Sequence, residues 1–256
     1  MSMIPLLQPI FQGDWAPHGE TVQCSPPPPG AILVADLVSR PGLLADVMAR
    51  HAGHLGVTGR DWRAVASAWS LDYLWTLLPP VVAAASLLQH RFPVSPARMA
   101  LVLDDDAHPV RFHIGDLGEA MPGTGTVERY SPLLHEHLQP LFAALHRETR
   151  VAEKILWANT ARYLGEILEQ GIALAGPLPP LVADQAMLLE GGSWPEGRGN
   201  PMLALPRRSA CDAAGQRVTL HRHCCLYYLL PEQPYCGGCP LAPQHRATLR
   251  TTAPTA

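Results

Sequence analysis

Between His221 and Leu241 the chain reads HRHCCLYYLLPEQPYCGGCPL, and four of its six cysteines fall there. Cys224 and Cys225 are adjacent. Ten residues on, Cys236 and Cys239 form a C-x-x-C unit. Thiols gathered in this way bind a structural zinc ion, cycle between dithiol and disulfide, or ligate an iron–sulfur cluster. Zinc sites usually pair two C-x-x-C knuckles, and only one is present. A redox dithiol wants a β-α-β setting around C-x-x-C, which the flanks lack. Adjacent side chains on an extended strand point to opposite faces. Cys224 and Cys225 therefore reach one centre only if the chain bends there, or if the centre is larger than one ion. A cluster with two irons meets that condition more readily than zinc does, and zinc remains the rival. Gly237 and Gly238 allow the backbone to wrap, and their N–H groups are candidates for bonds to the sulfurs. Cys24 and Cys211 lie outside the group and are expected to take no part.

Other residues able to do chemistry are weaker. Asp104, Asp105 and Asp106 are consecutive, and a solvated turn explains them better than a metal site. His135 and His137 are two apart and splay on a helix, so they miss the i, i+4 spacing of zinc helices. No G-x-G-x-x-G follows a strand and no P-loop is present, so no nucleotide-binding fingerprint is seen.

Elements of a sizeable domain must position the cysteines. The chain has 256 residues, 47% of them apolar and 16% charged, with net charge −3. That balance lacks the concentrated basic face of a nucleic-acid binder. The longest apolar stretch, Tyr73 to Leu88, is interrupted by Pro79 and Pro80 and is short of a membrane span of about 20 residues. It predicts two buried helices meeting at the prolines. No secretory signal is visible, so a cytoplasmic location with reduced thiols is expected. Helical patterns dominate, with a hairpin signal around DDDAH near residues 98–114 and two short strands before the double cysteine. The expected class is α+β, mainly helical: a helical domain, a small β-hairpin and a C-terminal cysteine-rich cluster-binding segment. The expected organisation is an irregular N-terminal arm (1–30), a helical domain (31–198), the cysteine segment (199–245) and a disordered tail (246–256).

The cysteine pattern resembles that of the ferric siderophore reductases typified by FhuF. Arg222 before the double cysteine, Tyr228 after it and Leu230-Pro231 ahead of CGGC agree with the family. KILWANTARYL, through Lys154, Trp157, Asn159 and Thr160, resembles a family helix, and GNPM at 199–202 a family loop. His221 and His223 depart from it, flanking Arg222 where an arginine pair is expected. The resemblance implies a 2Fe–2S cluster on Cys224, Cys225, Cys236 and Cys239. It implies one-electron reduction of Fe3+ in a siderophore of hydroxamate type, with Fe2+ released in the cytoplasm. The donor would be external, a ferredoxin-like protein or a flavin reductase. Loose association with the inner membrane face or a siderophore transporter is compatible with this role. A zinc-stabilised binding module and a siderophore-biosynthesis domain are the alternatives. Tyr227, Tyr228 and Tyr235 are candidates for contact with the chelate, and His223 for tuning the centre.

Overall fold

A computed structural model describes residues 3–191, 194, 199–203, 208–211 and 215–245. The expected tail (246–256) lies outside them. The mainly helical α+β class is as expected. Its axis is α4 (Arg63–Leu87), 25 residues long and buried on nearly every side. Between Asp72 and Leu87 the helix carries no charged side chain, so it has no face to show to water. By length and composition it could cross a membrane, but 78% of its most apolar window is buried inside the protein.

The helix runs unbroken through Pro79 and Pro80, where the sequence predicts a junction of two helices. Each proline removes an intrahelical hydrogen bond. Burial on all sides outweighs that loss, because helical stability in proteins comes mostly from tertiary packing.

Around α4 lie α1 (Ala16–Gly19), α2 (Val34–Ser39), α3 (Leu43–His54), α5 (Thr126–Ser131), α6 (Gln139–Thr149), α7 (Glu153–Ala175) and α8 (Pro179–Leu189). The stretch TVERYS…HRET is divided into α5, a π-helical stretch at Pro132–Leu138, and α6. Within that stretch His137 is fully buried. Its Nδ1–H donates to the Val94 carbonyl and its Nε2 accepts from the Tyr73 hydroxyl at 2.6 Å, so its role is structural.

One side of α4 is covered by a sheet of order β1-β5-β4-β2. Its strands are β1 (Val22–Cys24), β2 (Ile32–Leu33), β4 (Met99–Leu103) and β5 (Pro109–Ile114), while β3 (His90–Arg91) pairs with β6 (Glu119–Ala120). The predicted hairpin is β4–β5, antiparallel. The stretch read as an irregular arm instead supplies α1, β1 and the core residues Ile4, Leu7 and Val22, and β1 pairs in parallel with β5. At the far end β7 (Arg208–Cys211) and β8 (Arg217–Leu220) form an antiparallel pair leading into the cysteines.

Two residues of the family-like stretches, Asn159 and Asn200, make structural hydrogen bonds. Asn159 on α7 donates to both Ser67 and Ser70 hydroxyls on α4, at 3.1 and 3.0 Å. Asn200 Nδ2 donates to the Leu188 and Gly191 carbonyls, satisfying backbone groups left over at the end of α8.

Candidate metal centre

Strand β8 delivers the chain to His221, whose N–H donates to the Gly238 carbonyl at 2.8 Å. That bond ties the two cysteine-bearing arms together. The C-x-x-C unit closes on itself through Cys239 N–H to the Cys236 carbonyl, 3.0 Å, and His245 Nδ1–H holds the Cys239 carbonyl at 2.8 Å. The four sulfurs meet as two pairs: Cys224 with Cys239, and Cys225 with Cys236, each 3.8 Å apart. All four are free thiols, and 3.8 Å far exceeds the roughly 2.05 Å of a disulfide. Adjacent Cys224 and Cys225 thus diverge, each to a different member of C-x-x-C. Cys24 on β1 and Cys211 on β7 are exposed and take no part in either sulfur pair.

The close approach of the arms depends on Gly238. A Cβ there would lie 3.0 Å from both His221 Nε2 and the Thr219 carbonyl, whereas one on Gly237 meets nothing within 4 Å. Gly238→Ala should lower stability by about 1–3 kcal/mol, in the range of overpacking. Gly237→Ala should stay within about 0.5 kcal/mol of the parent. Thermal melting of the two variants side by side checks this, and equal effects would refute it.

The N–H group bonded to a sulfur is not that of either glycine. Leu226 N–H donates to Cys224 Sγ at 3.3 Å. Leu226 has φ of 62°, a left-handed conformation uncommon for leucine, and it turns the chain immediately after the double cysteine. Burial pushes the Cys224 thiol up to about 12. Cys225 is pulled down to about 6, first by its hydrogen-bonded partner Cys236, then by the backbone at Tyr227 and the Arg162 cation. Cys236 moves up in response.

The two pairs face different surroundings. Cys224 and Cys239 pack with Ala242, Leu226 and Leu241 in an apolar cluster. Cys225 and Cys236 line a cleft of about 520 Å³ with Arg162, Tyr163, Asp72 and His108. Tyr228 and Tyr235 stack at 4.7 Å beside Cys224 and Cys236. His223 Nε2 is buried without a hydrogen-bond partner, and burial lowers its pKa, with Lys154 adding. Arg222 donates to the Leu189 carbonyl at 3.2 Å, anchoring the segment to α8.

Sequence reasoning missed three residues of this cleft: His51 on α3, Asp72 on α4 and His108 at the turn into β5. Their donor atoms lie within 4.8 Å of one another. The local signal available was His51 and His54 at i, i+3, which share a helix face. The DDDAH segment is the turn expected, with Asp104 Oδ1 accepting from the N–H groups of Asp106 and His108. It also presents His108 to the cleft.

Comparison with known proteins agrees with the reading of the body. A family profile described as "Ferric iron reductase FhuF-like transporter" matches residues 67–216. The match ends before Cys224, so it rests on the helical body and not on the thiols. A protein of Escherichia coli (strain K12) named ferric siderophore reductase is 24% identical over 222 residues, covering 84% of this chain and 81% of that protein. Among solved structures, ATP-bound aerobactin synthetase IucA from Klebsiella pneumoniae superposes with a TM-score of 0.54 at 19% identity over 68% of this chain. A second structure of that synthetase gives 0.53 at 18% over 75%. At such identities the likeness is one of fold, and this chain spans 37% of the synthetase's length.

Proposed function

This chain belongs to the FhuF-like ferric iron reductase family, and from that premise we propose that it is a ferric siderophore reductase whose four C-terminal cysteines hold a 2Fe–2S cluster. The observation that carries the reading is the pairing of the sulfurs at 3.8 Å. A tetrahedral metal with bonds of about 2.3 Å spans two sulfurs by ~3.8 Å. Two such pairs make two metal positions. A single zinc ion needs all four sulfurs at that mutual spacing, yet the sets of three or more donors lying mutually within 4.8 Å do not include the cysteines. This supports the cluster over zinc.

When bound, the cluster supplies one electron to Fe3+ held by the siderophore's oxygen donors. The chain supplies the rest. Cys224 and Cys225, each with its C-x-x-C partner, would hold the group. Arg162 and the N–H group of Leu226 offset thiolate charge, which helps set the potential. Apolar packing around Cys224 and Cys239, with Cys225 also buried, limits access of water to three of the four thiols. The cleft beside Cys225 and Cys236 is of a size to take part of a chelate, within the roughly 300–1,000 Å³ of small-molecule sites. Loss of one charge weakens every hard-oxygen bond to iron, so the metal can leave. A hydroxamate siderophore, an external ferredoxin-like or flavin donor and a cytoplasmic setting complete the proposal.

The likeness to a siderophore synthetase favours a second reading, a biosynthetic domain. Both readings ask the helical body to handle a siderophore. The cysteine segment has a use only in the first.

Metal and sulfide analysis of anaerobically purified protein, followed by stopped-flow mixing of the reduced form with ferric hydroxamates, tests the proposal. We expect bleached visible absorption to return on mixing. Turnover should quicken when a ferrous chelator is present, most for the tightest siderophores, whose reduction is the most uphill. A protein that stays reduced with every ferric siderophore, ferrous chelator present, is not a reductase of this kind.

A further inference from the structure

The cleft lined by Cys225 and Cys236 carries a second donor set. His51, Asp72 and His108 come from α3, α4 and the turn before β5, and one donor atom from each lies within 4.8 Å of the other two. Ligand bonds of about 2.1 Å place donors up to ~4.2 Å apart, so small side-chain adjustments close the set on one ion.

Three features point to a ligand rather than to packing. His51 is 1% exposed, and neither of its ring nitrogens has a hydrogen-bond partner, although backbone at Asp106 lies near enough to favour its charged form. A buried imidazole with both nitrogens unpaired is costly unless something else meets it. His108 Nδ1 lies 3.3 Å from Asp104 Oδ2. That carboxylate fixes the ring and leaves Nε2 free, as outer-shell carboxylates do for metal-binding histidines. Asp72 is half-buried, its pKa raised first by burial, and it forms no ion pair with a described residue. The exposed pair of His54 and Asp106, 3.1 Å apart, lies next to the same His108 and is explained as a surface ion pair.

Two histidines and one carboxylate, with positions left open, suit Fe2+. A magnesium or calcium ion would want oxygen donors throughout. We propose that His51, Asp72 and His108 form a ferrous-iron site that receives the Fe2+ set free in the same cleft. Cation binding stands on the donor set alone, and the identity of the cation as product rests on the reductase reading. The step moves no electron: Fe2+ exchanges siderophore oxygens for two imidazoles and a carboxylate. Within a single turnover, capture of the ion would offset a reduction that is uphill for a tight chelate, and a further ferrous acceptor must empty the site before the next.

The test uses the oxidised, cluster-loaded protein, dialysed anaerobically against isotopically labelled ferrous iron. Mössbauer spectra distinguish high-spin Fe2+ from cluster iron. The expected result is a single additional ferrous ion per chain, lost in Asp72→Asn and in His108→Gln. Asp104→Asn, which leaves all three ligands, should weaken binding by ~10–100-fold. Visible spectra and melting temperatures of the variants should match the parent, so that a lost ion is not a lost fold. No additional iron in the parent overturns the site, and so does iron retained by both ligand variants. Failure of the reductase reading would appear in the stopped-flow traces and not in the iron count. Bound iron with inert traces overturns the assignment of the ion as product.

Discussion

Replacing any one of Cys224, Cys225, Cys236 or Cys239 by Ala should abolish visible absorption and lower the rate of ferric siderophore reduction by at least ~100-fold, since loss of even an outer-shell partner costs 10–100-fold at metal sites. Cys24→Ala and Cys211→Ala should leave both unchanged, as those thiols are exposed and neither pairs with another sulfur. The pairing adds a finer expectation. Cys224 and Cys239 sit in an apolar cluster, whereas Cys225 and Cys236 line the cleft. Substituting serine, a poorer oxygen ligand, should be tolerated better at Cys236, which is half-buried, than at Cys224, Cys225 or Cys239, which are buried. Spectra of the four serine variants, with iron and sulfide counts, check this. A colourless parent holding one zinc ion per chain would sink the assignment and favour the binding-module alternative.

The thiols were legible in the sequence because their chemistry is local and their spacing is unusual. Their pairing was not. It depends on the left-handed turn at Leu226 and on the contact between His221 and Gly238, neither of which composition announces. The same distinction runs through the fold. Helix α7 and the β4–β5 hairpin carry their period and their turn in consecutive residues, so they could be read directly. The three residues of β1 have no such signal, because the strand exists only through pairing with Phe112, His113 and Ile114, far along the chain. Pro79 and Pro80 argued locally for a break, and burial of α4 overruled them. His51, Asp72 and His108 were invisible as a group because three separate elements bring them together.

Loss of the Asp184 carboxylate should produce the largest change in stability, about 3–5 kcal/mol for Asp184→Ala, because it strands a buried guanidinium. Asp184 lies on α8 and is fully buried, and its partner Arg129 on α5 is nearly so. Oδ1 accepts from Arg129 Nη2 and the Thr126 hydroxyl, both at 2.6 Å, and Oδ2 accepts from the Ser86 hydroxyl at 2.7 Å. Ser86 is in turn 2.5 Å from the Tyr130 hydroxyl. One carboxylate thereby fastens α8 to α4 and α5. Replacing both charges with apolar side chains of similar size, as in Asp184→Leu with Arg129→Met, should cost less than Asp184→Ala alone, since no unpaired charge remains. Urea denaturation of the single and double variants measures the difference. The consequence extends to the metal centre. The last turn of α8 is held by Asn200, and the Leu189 carbonyl takes Arg222, three residues before Cys225. A loosened α8 should therefore release iron at urea concentrations below the unfolding midpoint, with visible absorption falling before circular dichroism. Coincident loss of the two signals in Asp184→Ala would show that α8 does not anchor the cysteine segment.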